Sequence, residues 1–146
     1  MVGRCVKRAA RAVAAAGFAT QVTACNSPQA DPGDATQVSR GKAIYASHCA
    51  ACHGADLEGQ PNWRERMPNG RLPAPPHDAT GHTWEHSDRA LFEVTKFGFA
   101  SKAGAAYQTD MRAFRDELSD EQIWAVISYI KSRWPQRLRE KQAQIK

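Results

Sequence analysis

Cysteine is scarce in this chain, with four residues in 146, and no internal repeat is visible. The lack of a repeat excludes solenoid and propeller architectures. Long apolar runs are missing too: the longest, at about residues 12–22, is too short to cross a bilayer. No acid–base pair or activated nucleophile stands out of the kind catalysis requires. Charge of one sign is not in real excess. The formal net charge is +5, but residues 1–24 carry four of the 20 basic side chains and none of the 15 acidic ones. The remainder stands at +1, so the basic pI gives no argument for nucleic-acid binding.

What is present is concentrated in one stretch, Cys49-Ala50-Ala51-Cys52-His53. Cys-x-x-Cys-His reads as a c-type haem attachment site. Two thiols three positions apart can each form a thioether to a vinyl group of one haem, and the next histidine then faces the iron as its proximal ligand. A thioredoxin-like redox pair expects a βαβ context, yet the residues before Cys49 look helical and no strand alternation is visible. A structural zinc site needs four ligands, and the other cysteines, Cys5 and Cys25, lie in a separate N-terminal segment. One such motif means one haem.

Residues 1–24 read as an export signal. Arg4, Lys7, Arg8 and Arg11 precede the small apolar stretch, and no acid interrupts them. Val22-Thr23-Ala24-Cys25 offers cleavage after Ala24 or, as a resemblance to the lipobox of bacterial lipoproteins, a lipid-modified Cys25. A lone free thiol is an odd choice in an oxidising compartment, which favours the anchor. Residues 25–36 are then a polar tether, residues 37–135 one folded domain, and residues 136–146 a basic tail. Lys131, Arg133, Arg137, Arg139, Lys141 and Lys146 face only Glu140 there. They can complement a helix end, or touch an acidic partner or anionic lipid.

Three helices are expected. The first, at about residues 37–49, follows Asp34, which with Gln37 resembles a capping box, and spaces Val38, Gly41, Ile44, Tyr45 and His48 at helical period. The second, at about residues 88–97, has Ser87 as N-cap and Gly98 as stop. The third begins after Ser119, whose partner Gln122 completes a capping box, and buries Ile123, Val126, Ile127 and Ile130, with Trp134 just beyond. Pro135 breaks or kinks it, and the tail from Gln136 to Lys146 can continue as a polar helical turn or two. Loops at about residues 54–86 and 98–118 are long enough to suggest a job, and enclosing a haem is one.

Over residues 37–135 the chain resembles the class I c-type cytochromes. The resemblance rests on Gly41 and Tyr45, then Cys49-Ala50-Ala51-Cys52-His53, then a last helix carrying Tyr129. It implies an all-α cytochrome c fold, with three main helices and long loops around one covalent haem c. It also implies a close crossing of the first and last helices beside an aromatic pair. A glycine inside a helix costs about 1 kcal/mol relative to alanine, and a close crossing is a physical reason to accept it.

The resemblance further implies a methionine opposite His53. Met111, in Asp110-Met111-Arg112-Ala113-Phe114, resembles the family's Met-Pro-x-Phe segment, with Arg112 in place of the proline that would stiffen the loop. Met67, in Arg66-Met67-Pro68, lies before the second helix, on the wrong side of the family's fold. His77, His82 and His86 are rival iron ligands or, together, ligands for a second metal such as copper. Otherwise they belong to a polar loop over the haem edge, with His82 or Trp84 bonded to a propionate. His48 is expected to face outward. Pro73 or Pro75 is expected to offer its carbonyl to the second nitrogen of His53.

The implied function is one-electron transfer through a haem with His53 and Met111 as axial ligands, between periplasmic or membrane-bound redox proteins of a respiratory chain. The protein would be an electron carrier rather than an enzyme, and nothing requires more than a monomer. A fixed electron-entry subunit of an oxidoreductase complex is the first alternative. A ligand-binding, peroxidase-like or sensor haem protein is the second, if Arg112 leaves Met111 labile.

Overall fold

The computed structural model describes residues 29–104 and 106–145. The expected signal segment 1–24, the lipid attachment at Cys25 and the start of the tether lie outside the described residues. Among those described there is no β-strand, and no helix is long and apolar enough to cross a membrane.

Helix α1 spans Ala35–His48. The Asp34 carboxylate accepts from the backbone of Thr36 at 2.9 Å and of Gln37 at 3.1 Å, satisfying two of the orphan donors of the first turn. Gln37 does not close the expected box. Its Oε1 accepts instead from the Asp31 amide at 2.8 Å and from Ser128 Oγ at 2.5 Å, and its Nε2 donates to the Gln29 carbonyl at 3.0 Å. Residues 29–34, read from sequence as tether, are therefore fastened to the last main helix, with Ala30 packed on the core.

A short turn, α2, Ala50–His53, continues directly from α1. Helix α3, Asp88–Phe97, begins at Ser87 and ends at Gly98 as the sequence indicates. A short α4, Ala100–Ala103, follows. Helix α5, Asp120–Ser132, carries the Ser119–Gln122 capping box with both bonds made, at 3.3 and 2.8 Å. The expected stripe of Ile123, Val126, Ile127 and Ile130 is buried, together with Ala125, Ser128 and Tyr129.

Helices α1 and α5 cross, and Gly41 is the reason they can do so closely. A β-carbon on Gly41 would overlap the carbonyl of Ala125 and lie 3.0 Å from the Tyr129 Cβ. One turn on, the rings of Tyr45 and Tyr129 meet with centroids 5.4 Å apart, the aromatic pair that the resemblance implies.

The chain does not leave the domain at Pro135. Helix α5 ends at Ser132, and Pro135 opens another, α6, Gln136–Gln142, accepting from the Leu138 amide at 2.9 Å. Leu138 and Gln142 are buried. Gln142 Nε2 donates to the His86 carbonyl at 3.0 Å and to Asp88 Oδ1 at 2.6 Å, and the Lys131 ammonium reaches both Asp88 oxygens at 2.7 Å. Arg139 donates to the Trp134 carbonyl at 3.0 Å, and Lys141 lies 4.5 Å above the Trp84 ring. Lys131, Arg139 and Lys141 are thus engaged inside the domain rather than free as part of a basic tail. Leu138 is the one buried apolar side chain of α6, too sparse a signal to show from sequence that this turn packs on the domain.

The two long loops brace one another. Arg71, in the first, pairs with Asp110, in the second. Lys96, on α3, reaches Asp120 at the start of α5 at 2.6 Å.

Candidate haem site

The helical run of α1 delivers the Cys-x-x-Cys-His stretch in a fixed conformation. Cys49 ends α1, and its carbonyl accepts from the amides of Cys52 at 3.1 Å and His53 at 2.9 Å. Both thiols are free; Cys49 is half-buried and Cys52 exposed. Burial, and then the proximity of Cys52, pushes the Cys49 thiol up to about 11, so it is protonated at neutral pH. Tyr45, buried below them, donates its hydroxyl to the His53 and Gly54 carbonyls at 3.3 and 3.0 Å.

His53 is 8% exposed, and its Nδ1 sits 2.8 Å from the Pro75 carbonyl. This selects Pro75 over Pro73 as the partner. A carbonyl only accepts, so Nδ1 carries the proton and Nε2 carries the lone pair. Burial holds the ring below the ordinary histidine range, partly opposed by the Pro75 bond, and so favours the neutral form that ligates metals. The Pro75 segment reaches this place because the first loop folds back on itself. Gln60 donates to the Ala74 carbonyl at 2.9 Å, and His77 to the Leu57 carbonyl at 2.8 Å. Gly59, at φ +69°, lies so close to Pro75–Pro76 that a β-carbon would come within 2.7 Å of the Pro75 carbonyl carbon.

His77 packs directly against His53. Its ring stacks on that of His53, with centroids 3.9 Å apart and planes 22° apart. Its Nδ1 meets Thr83 Oγ1 at 2.8 Å, and its carbonyl accepts from the indole of Trp134 at 2.7 Å. Burial, then the neighbouring His53, pushes His77 well below the ordinary histidine range. His82 is half-buried and stacks on Trp63 at 5.1 Å, while His86 is exposed. Among the described residues no group of three or more His, Cys, Asp or Glu side chains is placed to hold a metal ion, so the loop histidines do not assemble a second centre.

His82 Nδ1 and Trp84 Nε1 are buried with no hydrogen-bond partner. Orphaned buried donors are costly and rare, and a carboxylate on a bound group would satisfy them. The residues present therefore fit a propionate-bearing haem.

Met111 is half-buried, and its amide donates to Thr109 Oγ1 at 3.0 Å. Arg112, which stands where the resemblance expects proline, pairs with Glu117 at 2.6 Å and lies 4.9 Å above the Phe114 ring. Phe114 is buried, and its amide donates to the Thr95 carbonyl at 3.1 Å. Its ring meets His48 edge-on at 6.3 Å. His48 is accordingly half-buried rather than turned outward, and the methionine segment is tied to the end of α1. Met67 instead lines a surface cavity with Gln60, Asn62, Arg66 and Pro73.

An all-α domain whose first helix runs into a Cys-x-x-Cys-His turn, and whose last helix crosses the first at a glycine, has the frame of an electron-transfer haem protein. The family model described as Cytochrome c matches residues 38–134, and the chain belongs to the cytochrome c family. No curated protein and no solved structure matches it. Membership implies haem c with its iron as cofactor, an electron-carrier role rather than catalysis, and contact with redox partners.

Proposed function

We propose that the protein is a one-electron carrier in which Cys49 and Cys52 attach a single haem c while His53 and Met111 ligate its iron. The observation that carries this reading is the tautomer of His53. With Nδ1–H committed to Pro75, the remaining ring nitrogen is a lone-pair donor one residue from Cys52 and four from Cys49. The bound haem would take up one electron from a donor and pass it to an acceptor, and a methionine ligand would raise its potential relative to a second histidine. The chain's own residues supply burial, orientation and a stiff ligand segment. Arg112 restrains the Met111 segment through Glu117 and Phe114, doing by side-chain contacts part of what a proline does through its ring. That supports a fixed sixth ligand over a labile one, and so a carrier over a gas-binding or peroxidase-like protein. A fixed subunit of an oxidoreductase complex is compatible with the same site.

By the same reading the protein is exported to the periplasm by residues 1–24, anchored there by lipid at Cys25, and exchanges electrons with respiratory-chain redox proteins as a monomer. Cys25→Ser is expected to release it from membranes without loss of haem, and a wild type that fractionates as soluble overturns the anchor.

The test of the ligand set is the ferric optical spectrum of wild type beside Met111→Ala. The expected result is a weak far-red sulfur-to-iron band in the wild type that disappears in the variant. A wild type without the band, or a variant that keeps it, refutes Met111 as ligand. A ferrous wild type that ignores carbon monoxide at neutral pH excludes the ligand-binding alternative.

A further inference from the structure

We propose that His77 is a positioning residue for His53: its ring is a fixed wall that sets the plane in which the His53 imidazole meets the iron. The inference rests on the reading of His53 as haem ligand.

His53 has one restraint on its ring from hydrogen bonding, the 2.8 Å contact of Nδ1 with Pro75. A single bond near the ring plane leaves the imidazole free to swivel about its Cβ–Cγ axis within the width of the bond. The His77 ring closes that freedom on one face, lying nearly parallel at 3.9 Å between centroids. A wall positions only if it is itself held, and His77 is held at each of its polar groups the structure describes. Its amide donates to the Leu57 carbonyl at 2.8 Å, and its carbonyl accepts from Trp134, which is 2% exposed. Its Nδ1 meets Thr83 Oγ1 at 2.8 Å, and the Thr83 hydroxyl is itself within 3.3 Å of the Pro76 carbonyl. The hydroxyl donates to that carbonyl, so it accepts from His77, which fixes the His77 tautomer and its ring plane.

His77 shares a segment with Pro75, so the residue that accepts the His53 proton and the residue that blocks its ring move as one body. Trp134 ties that body to the end of α5. The partners of a ligating histidine set its ring orientation and its basicity. In the ferric state, the plane of an axial imidazole determines which porphyrin orbital carries the unpaired spin. The proton NMR shifts of the four haem methyl groups report it directly.

The experiment uses holoprotein of wild type, His77→Leu, His77→Phe and Thr83→Val. Haem content and the far-red band report whether the His53/Met111 reading stands. The ferric haem-methyl shifts and the midpoint potential report positioning. His77→Leu is expected to keep haem and band, change the methyl pattern, and raise the potential, because a tilted His53 bonds Pro75 less well and becomes a weaker donor to ferric iron. His77→Phe, which keeps a flat face, is expected to restore most of the wild-type pattern. Thr83→Val is expected to shift both readouts in the same direction by less, and it carries the test alone if His77→Leu fails to accumulate. Variants that lose thermal stability but keep the wild-type methyl pattern and potential overturn the proposal while leaving the ligand assignment intact. A wild type with no haem on Cys49 and Cys52 overturns both.

Discussion

Replacing Gly41 by alanine tests whether the α1–α5 crossing holds the domain together. Two effects compete. Alanine is the better helix former, by about 1 kcal/mol in a helix interior. Against that, its methyl would overlap the carbonyl of Ala125 and press the Tyr129 Cβ at 3.0 Å. Overpacking a core costs about 1–3 kcal/mol. Here the obstacle is backbone rather than the end of a flexible side chain, so the cost belongs at about 3. The net is a loss of about 2 kcal/mol, or a fall in Tm of roughly 10 °C for a domain near this size. Ala43, exposed on the other face of α1, isolates the propensity effect: Ala43→Gly loses about 1 kcal/mol through propensity alone. Urea unfolding of the ferric holoprotein, followed by tryptophan fluorescence, measures both. A Gly41→Ala protein as stable as wild type would refute the argument, because it would show that the helices can separate at no cost.

Two further outcomes are expected. Asp88→Ala strands the buried Lys131 ammonium; removing one partner of a buried pair costs about 3–5 kcal/mol, and with the Asp88 side chain 33% exposed about 2–3 is expected here. Urea midpoints should show Arg89→Ala, on an exposed i, i+4 pair, losing less than about 0.5 kcal/mol, and equal losses would defeat the reasoning. His77 and His82 are both held below the ordinary histidine value by burial, so the unfolded chain binds protons that the folded one refuses. Stability from this source is complete above about pH 6.5 and is lost as pH falls through that value. His77→Gln should flatten the fall in urea midpoint between pH 7.5 and 5.5, and an unchanged slope would refute it.

Features written in contiguous residues were legible in the sequence. Ser87, Gly98 and the Ser119–Gln122 pair mark helix ends because capping is decided within one turn. The Cys49–His53 stretch is legible for the same reason. Gly41 and Tyr129 were readable only through resemblance, since nothing local says that two distant helices meet. A helical turn or two after Pro135 is legible, and α6 is that; its docking is not, because it rests on Leu138 and on the bonds of Gln142 to a distant loop. Which proline faces His53, and what His77 does, depend on how a loop of some thirty residues folds back on itself. No periodicity encodes that.

The contact of Gln37 with Ser128 joins positions 91 apart. A chain made from its N-terminus completes the Cys49–His53 turn long before α5 exists to cross α1. Contacts of such separation also form slowly in folding. Until then nothing from the distal half is available to pack against the first helix, and Cys52 stays exposed even once it has. The segment before α1 and the crossing helix are thus fastened by residues made late, so the fold is completed only when both ends of the domain are present.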